Sequence, residues 1–174
     1  MQNWKLVDRK NIYNQGRLKF DQFGYELPDG KRKDYIVRDI GNVAKVFAVT
    51  AERKAILIEQ FRVGPQETVF ELPGGFCDKK ERPEITAGRE LLEETGYTGE
   101  IEYLTSFWND AYSTMKIYCY LAKNCQKISD QKLDDDEYID IHLVSVDSLR
   151  KKLFEGQMRD IGICYLGLDR LGWM

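Results

Sequence analysis

The sequence predicts an α/β fold: a three-layer α/β/α sandwich on a mixed sheet, with a β-hairpin arm ahead of it. Three observations carry this. Runs of β-formers such as VAKVFAV (43–49) and AILIEQF (55–61) share the chain with stretches of helical spacing. A glycine turn at Gly74-Gly75 leads into a short helix whose ends are marked by Pro83 and Gly96. Strands with helices on both sides call for two helical layers around one sheet.

The elements follow in order. From Arg17 to Leu27, the residues Leu18, Phe20, Phe23, Tyr25 and Leu27 alternate weakly, and Pro28-Asp29-Gly30 supplies turn chemistry before a second run at Asp34–Arg38. This is a β arm over residues 1–40, with too little core to stand alone, so it packs on the main sheet or on a second chain. The main domain spans 41–174. Asn42–Thr50, Lys54–Phe61 and Thr68–Pro73 read as strands, Pro83–Thr95 as a helix, and Glu100–Trp108 and Thr114–Ala122 as strands. Asn124–Asp136 is polar and loop-like. Glu137–Ser145 is a strand, and Val146–Phe154 and Ile161–Leu171 are helices, the first with Leu149 and Leu153 at i, i+4 and the second with Ile161, Tyr165 and Leu168 on one face.

Composition narrows the function classes. With 174 residues, 43% hydrophobic and 12% aromatic, the chain is that of a folded globular protein. No apolar run is long enough to span a membrane, and MQNWKLVDRK lacks the apolar core of a signal peptide, so the cytoplasm is the expected compartment. A net charge of −3 gives no general attraction for nucleic acid. Four cysteines without a Cys-x-x-Cys pair and a single histidine argue against structural zinc. Cys119 and Cys164 read as buried small hydrophobes, Cys77 as a loop residue and His142 as structural.

The chemistry concentrates in GFCDKKERPEITAGRELLEETGY (75–97). On a helix, Glu90, Glu93 and Glu94 fall at i, i+3 and i+4 and share one face, where like charges repel. Arg89 reaches Glu93 at i+4, but one arginine does not neutralise the group. Hard divalent cations, Mg²⁺ or Mn²⁺, would. The alternative is a solvated acidic helix, which leaves Gly74-Gly75, Glu81 and Gly96 unexplained.

Gly75, Glu81, Arg89, Glu90, Leu91, Glu93, Glu94 and Gly96 match, position for position, the signature that this segment resembles: that of the Nudix hydrolases. Tyr97 stands where an aliphatic residue is usual. The resemblance implies the same α/β/α sandwich and metal-dependent hydrolysis at a diphosphate, with Glu90 and Glu94 the firmest ligands, Glu93 binding metal or locking Arg89, and Arg89 orienting them. The carbonyl of Gly74 is a further oxygen donor, and Glu81 leans to holding the turn. Glu59-Gln60-Phe61-Arg62 and Gly156-Gln157-Met158-Arg159-Asp160 resemble segments of the ADP-ribose and nucleoside-diphosphate-sugar pyrophosphatase branch. That branch also carries an N-terminal arm exchanged between subunits, which implies a homodimer.

The acidic run Leu133–Ile139 resembles the segment from which that branch draws a catalytic glutamate. Glu137 is the choice for the base, with Asp135 and Asp136 as fallbacks. Arg62 suits a substrate phosphate; Tyr35, Trp108 and Tyr112 suit a base or sugar. The chain departs from the branch in three places: no proline in Trp108–Ser113, Gly74 where alanine is common, and Tyr35 where arginine is common. Nucleoside-diphosphate sugars and other linked nucleotides therefore stay open beside ADP-ribose. The alternatives are a non-catalytic Nudix nucleotide sensor, or a Nudix hydrolase of dinucleotides or RNA caps.

Overall fold

The computed structural model describes residues 3–174. Two compact units emerge, one from the N-terminal residues up to Asn42 with Phe107–Ile117, the other from Val43–Ser106 with Tyr118–Met174.

The first unit is an antiparallel sheet, β1 (Lys5–Gln15), β2 (Leu18–Glu26) and β3 (Arg32–Arg38), in that spatial order. The sequence reading found β2 and β3 but not β1. Every residue of β1 is exposed, so it carries no alternation to detect. It bears on the expected exposed aromatics: Phe23 is buried beneath Arg9, whose guanidinium lies 4.9 Å from the ring centre, and Phe20 and Tyr25 are half-buried. The exposed apolar side chains of the arm include instead Trp4, Leu6, Val7, Ile12, Tyr13, Leu18 and Ile36. The 107–117 segment joins this unit through backbone bonds, Arg38 N–H to the Tyr112 carbonyl (2.8 Å) and Thr114 N–H to the Arg38 carbonyl (3.0 Å).

The second unit holds a mixed sheet of β4 (Val43–Thr50), β5 (Lys54–Arg62), β6 (Glu67–Glu71), β7 (Gly74–Phe76), β10 (Asp140–Ser145) and most of β8 (Tyr97–Trp108) and β9 (Lys116–Lys127), whose residues 107–108 and 116–117 belong to the first unit. The order is β10-β5-β4-β9-β8, with β6 on β5 and β7 on β4. The helices are α1 (Pro83–Thr95), α2 (Val146–Phe154) and α3 (Ile161–Arg170).

The period of two along β4 divides the core. Ala44, Val46 and Ala48 pack with Ala87 and Leu91 of α1, while Phe47, on the opposite face, lies against Gly167 of α3. The expected α/β sandwich with helices on both faces of the sheet and an N-terminal β arm is what forms. Local differences have local causes. β9 runs on to Lys127 through Asn124, whose φ is 53°, a bend that its polar sequence disguises as loop. β10 begins at Asp140, not Glu137, because Asp134–Glu137 closes a turn of its own.

Candidate metal and hydrolase site

The site is built on α1 and the turn before it. Pro83 occupies the first turn of the helix, and the Gly96 N–H caps the Leu92 carbonyl at 2.7 Å. Two glycines bring the turn against the helix. At Gly74, φ is 149° and a Cβ would stand 2.1 Å from the Ala44 carbonyl oxygen. At Gly75 a Cβ would stand 2.4 Å from the Glu90 carboxylate. Any side chain at Gly75 would fill the space that Glu90 uses.

Arg89 organises the carboxylates. Its Nη1 donates to Glu90 (2.9 Å) and Glu93 (2.9 Å), while Nε and Nη2 donate to the two oxygens of Glu81 (3.3 and 3.2 Å). Glu81 also accepts from the Thr86 hydroxyl (2.8 Å), so it ties the loop to the first turn of α1. These bonds hold Glu81 below the usual carboxylate range, Arg89 first and Thr86 second, and the bond to Glu81 raises Arg89.

Glu94 differs from its neighbours. It is buried, and the bond its carboxylate accepts comes from the Gly74 N–H at 2.7 Å. Burial pushes its pKa up to about 8, against the pull of the Lys45 charge and that N–H. Burial also raises Glu90, opposed by Arg89. A buried carboxylate with one hydrogen bond and no cation in contact suits a hard cation, as do further carboxylate oxygens on the same helix face. Glu90, Glu93, Glu94 and the Gly74 turn thus fit a divalent metal. Among the described residues no three acidic, imidazole or thiol side chains already form a closed cage. Arg89 holds Glu90 and Glu93 in its place.

The acidic loop is fastened to the far end of α1. Ile128 and Ser129 N–H groups donate to the Gly96 carbonyl (2.9 and 3.3 Å), and Lys132 N–H to the Glu93 carbonyl (2.8 Å). Gln131 Nε2 donates to the Glu94 carbonyl (2.7 Å) and the Ile139 carbonyl (3.1 Å). The loop then turns on Asp134 and Glu137, each N–H bonded to the other residue, at 3.1 Å to the Glu137 carboxylate and 3.0 Å to the Asp134 carbonyl. The charge of Glu137 acts on both Glu90 and Glu94; Asp135 and Asp136 are exposed. Sequence reasoning missed Gln131, which looks like one more polar loop residue.

Arg62 is engaged with Glu71, through Nε (2.5 Å) and Nη2 (2.7 Å). Glu71 is fully buried and also pairs with Lys45 (3.1 Å) and Arg159 (3.3 Å); its pKa falls to about 2 as Arg62, Lys45 and Arg159 outweigh burial. Lys45 and Glu71 were likewise missed. The one available signal was a lysine inside the apolar run VAKVFAV.

In the first unit, Tyr35 and Tyr112 meet with ring centres 6.4 Å apart. They line a groove of about 310 Å³ with Trp4, Tyr25, Val37 and Ala111. Trp108, 65% exposed, lies under Lys116. Cys119, Cys125 and Cys164 are buried and their thiols raised by burial, as is the half-buried Cys77. His142 stacks edge-on against Phe70 at 5.1 Å.

Comparison with known proteins places this geometry. The NUDIX domain family model matches residues 41–162. The chain is 36% identical over 165 residues to the ADP-ribose pyrophosphatase of Bacillus subtilis (strain 168), covering 92% of this chain and 89% of that protein. It is 35% identical over 173 residues to the methanol dehydrogenase activator of Bacillus methanolicus, covering 95% and 93%. A solved ADP compounds hydrolase superposes with a TM-score of 0.84, covering 100% of this chain and 98% of the other; at 18% identity this shows the shared fold.

Proposed function

The chain belongs to the NUDIX domain family, and from that premise we propose that it hydrolyses the diphosphate of ADP-ribose or a related nucleoside-diphosphate sugar with Mg²⁺, releasing a nucleoside monophosphate and a sugar phosphate. Nudix hydrolases generally use divalent cations. The observation that carries the reading is Glu94: a buried carboxylate without a contacting cation, facing a glycine turn, on a helix face with Glu90 and Glu93.

In this reading Glu90, Glu93 and Glu94 hold the metal, with the Gly74 carbonyl as a further donor. The bound cation polarises phosphoryl oxygens and acidifies water. Arg89 keeps Glu90 and Glu93 oriented, the Gly74 N–H orients Glu94, and Glu81 anchors Arg89. Glu137 takes the proton from the attacking water. Arg62, steered by Glu71, offers its remaining nitrogen to a phosphate oxygen. Tyr35 and Tyr112 present ring faces to the base or sugar. We assign residues 1–40 to an arm and 41–174 to the catalytic domain. The arm joins two copies into a homodimer, supported by the exposed apolar side chains of β1. Among the described residues no helix is long and apolar enough to cross a membrane, and a cytoplasmic site of action is part of the proposal.

A product-resolved screen of ADP-ribose, other nucleotide sugars, dinucleotides and nucleoside triphosphates, with Mg²⁺ and with Mn²⁺, tests this. Formation of nucleoside monophosphate plus sugar phosphate by wild type, and its loss in Glu94→Gln, is expected. Equal turnover by the two proteins, or cleavage confined to triphosphates, overturns the reading. The likeness to the methanol dehydrogenase activator favours a second use of the same activity, in activating a methanol dehydrogenase. Stimulation of such an enzyme by wild type and not by Glu94→Gln would establish it.

A further inference from the structure

Lys45 has no place in the reaction just described, yet it is one of the most confined charges in the molecule. It lies within β4, 6% exposed, on the face opposite the α1 core. Its ammonium meets the Glu71 carboxylate at 3.1 Å, the Leu72 carbonyl at 2.9 Å and the Asp160 carboxylate at 3.4 Å. Buried ion pairs are poor contributors to stability, because desolvation offsets their attraction; their better-attested use is to fix one arrangement of the chain.

The arrangement fixed here is the turn ahead of the metal helix. Both backbone polar groups of Leu72 are taken by side chains distant in sequence. Its carbonyl accepts from Lys45, and its N–H donates to Asp160 at 3.0 Å. The next carbonyl, of Pro73, accepts from the Val46 N–H at 2.9 Å. Gly74 then lies flat on β4, where an added Cβ would stand 2.8 Å from the Cα of Lys45. From there its N–H donates to Glu94 at 2.7 Å. Asp160, at the start of α3, and Lys45, on β4, therefore grip the same residue from two sides. Two residues later the gripped chain delivers the N–H that Glu94 accepts.

We propose that Lys45 and Asp160 are positioning residues for the metal centre, clamping Leu72 so that the Gly74 N–H holds the Glu94 carboxylate in its ligand orientation. The inference rests on the reading of Glu94 as a metal ligand. It carries a sign opposite to plain electrostatics. Removing a positive charge near a cation site by itself tightens cation binding, whereas loosening the clamp weakens it.

The test is Mn²⁺ binding, followed by the electron paramagnetic resonance of the free ion, in wild type, Lys45→Met, Asp160→Asn and Asp160→Ala. Asp160→Asn and Asp160→Ala remove the same charge, but only asparagine keeps an oxygen for the Leu72 N–H. The clamp predicts that Lys45→Met binds Mn²⁺ about tenfold or more weakly than wild type, and that Asp160→Ala falls about tenfold below Asp160→Asn. Leu149→Ala, a core truncation in α2 outside the site, loses stability and keeps wild-type Mn²⁺ affinity. Unchanged or tighter binding in folded Lys45→Met, or equal binding by the two Asp160 variants, overturns the proposal. If Lys45→Met does not fold, the Asp160 pair decides alone. Wild type that binds no Mn²⁺, or Glu94→Gln that binds it equally well, overturns the reading of the site itself, a result distinct from failure of the clamp.

Discussion

Glu71 and Glu94 are both glutamates, both buried, and both in the second unit, yet their proton affinities move in opposite directions. Glu71 meets Lys45, Arg62 and Arg159, and its pKa falls to about 2. Glu94 accepts one backbone N–H, and its pKa rises to about 8. Burial raises each carboxylate; the partners decide the outcome. A buried acid whose partners are complete belongs to the scaffold. One whose partners are incomplete leaves room for a charge from outside, which in the proposed function is a divalent cation. The difference separates structure from chemistry more cleanly than burial does.

The contrast breaks first at Glu94. Glu94→Gln is expected to lose hydrolysis by about a thousandfold or more, since it removes a donor from the charge-stabilising centre. At pH 8 its metal-free melting temperature equals or exceeds wild type, because a neutral amide replaces a carboxyl group that burial penalises when ionised. A large drop in melting temperature would place Glu94 with the scaffold. Glu71→Gln should do the reverse. It leaves Lys45, Arg62 and Arg159 without the carboxylate they share, with Asp160 and Glu94 left acting on Lys45 and Arg62. Breaking such a buried network costs about 3–5 kcal/mol, read from urea unfolding at pH 7. Wild-type stability in Glu71→Gln would erase the distinction.

The pH dependence sharpens the same comparison, with opposite signs. The folded pKa of Glu71, about 2, lies below its ordinary 4.5. Its contribution is present above pH 4.5 and is lost as pH falls toward 2, about 3 kcal/mol in all. The folded pKa of Glu94, about 8, lies above 4.5. In metal-free protein its contribution is full below 4.5 and is lost as pH rises toward 8, at roughly 1.4 kcal/mol per pH unit. Metal binds the ionised form, so Mn²⁺ affinity climbs about tenfold per pH unit and levels near pH 8. Unfolding midpoints with EDTA and with Mn²⁺, from pH 5 to 9, check both statements; in Glu94→Gln the Glu94 slope is absent.

How much of this was legible in the sequence depends on the range of the interactions. Helix α1 was read to its exact bounds, Pro83–Thr95, because proline, glycine and the i, i+3, i+4 carboxylates are all local signals. β1 left no trace, since an all-exposed strand is held by backbone pairing with β2 and has no apolar side to reveal it. Lys45, Glu71 and Gln131 were equally invisible. The contacts of Lys45 with Leu72 and of Leu72 with Asp160 span 27 and 88 positions, and no periodicity encodes them. Pattern reading found the residues expected to do chemistry and missed those that hold them.

Gln131 gives the smallest and most selective of these effects. One amide nitrogen bridges the carbonyl of Glu94, on α1, and that of Ile139, two residues beyond Glu137. Gln131→Ala removes both bonds and leaves the Glu94 carboxylate on the Gly74 N–H. The cost in stability is about 1 kcal/mol, or roughly 3 °C in melting temperature. If the bridge serves to hold Glu137 for proton transfer, kcat falls about tenfold while Mn²⁺ affinity stays at the wild-type value. A fall in Mn²⁺ affinity with kcat preserved at saturating metal would mean that Gln131 belongs with Glu94 and the metal helix. The acidic loop would then owe its position to the backbone bonds at Gly96 and Glu93 alone.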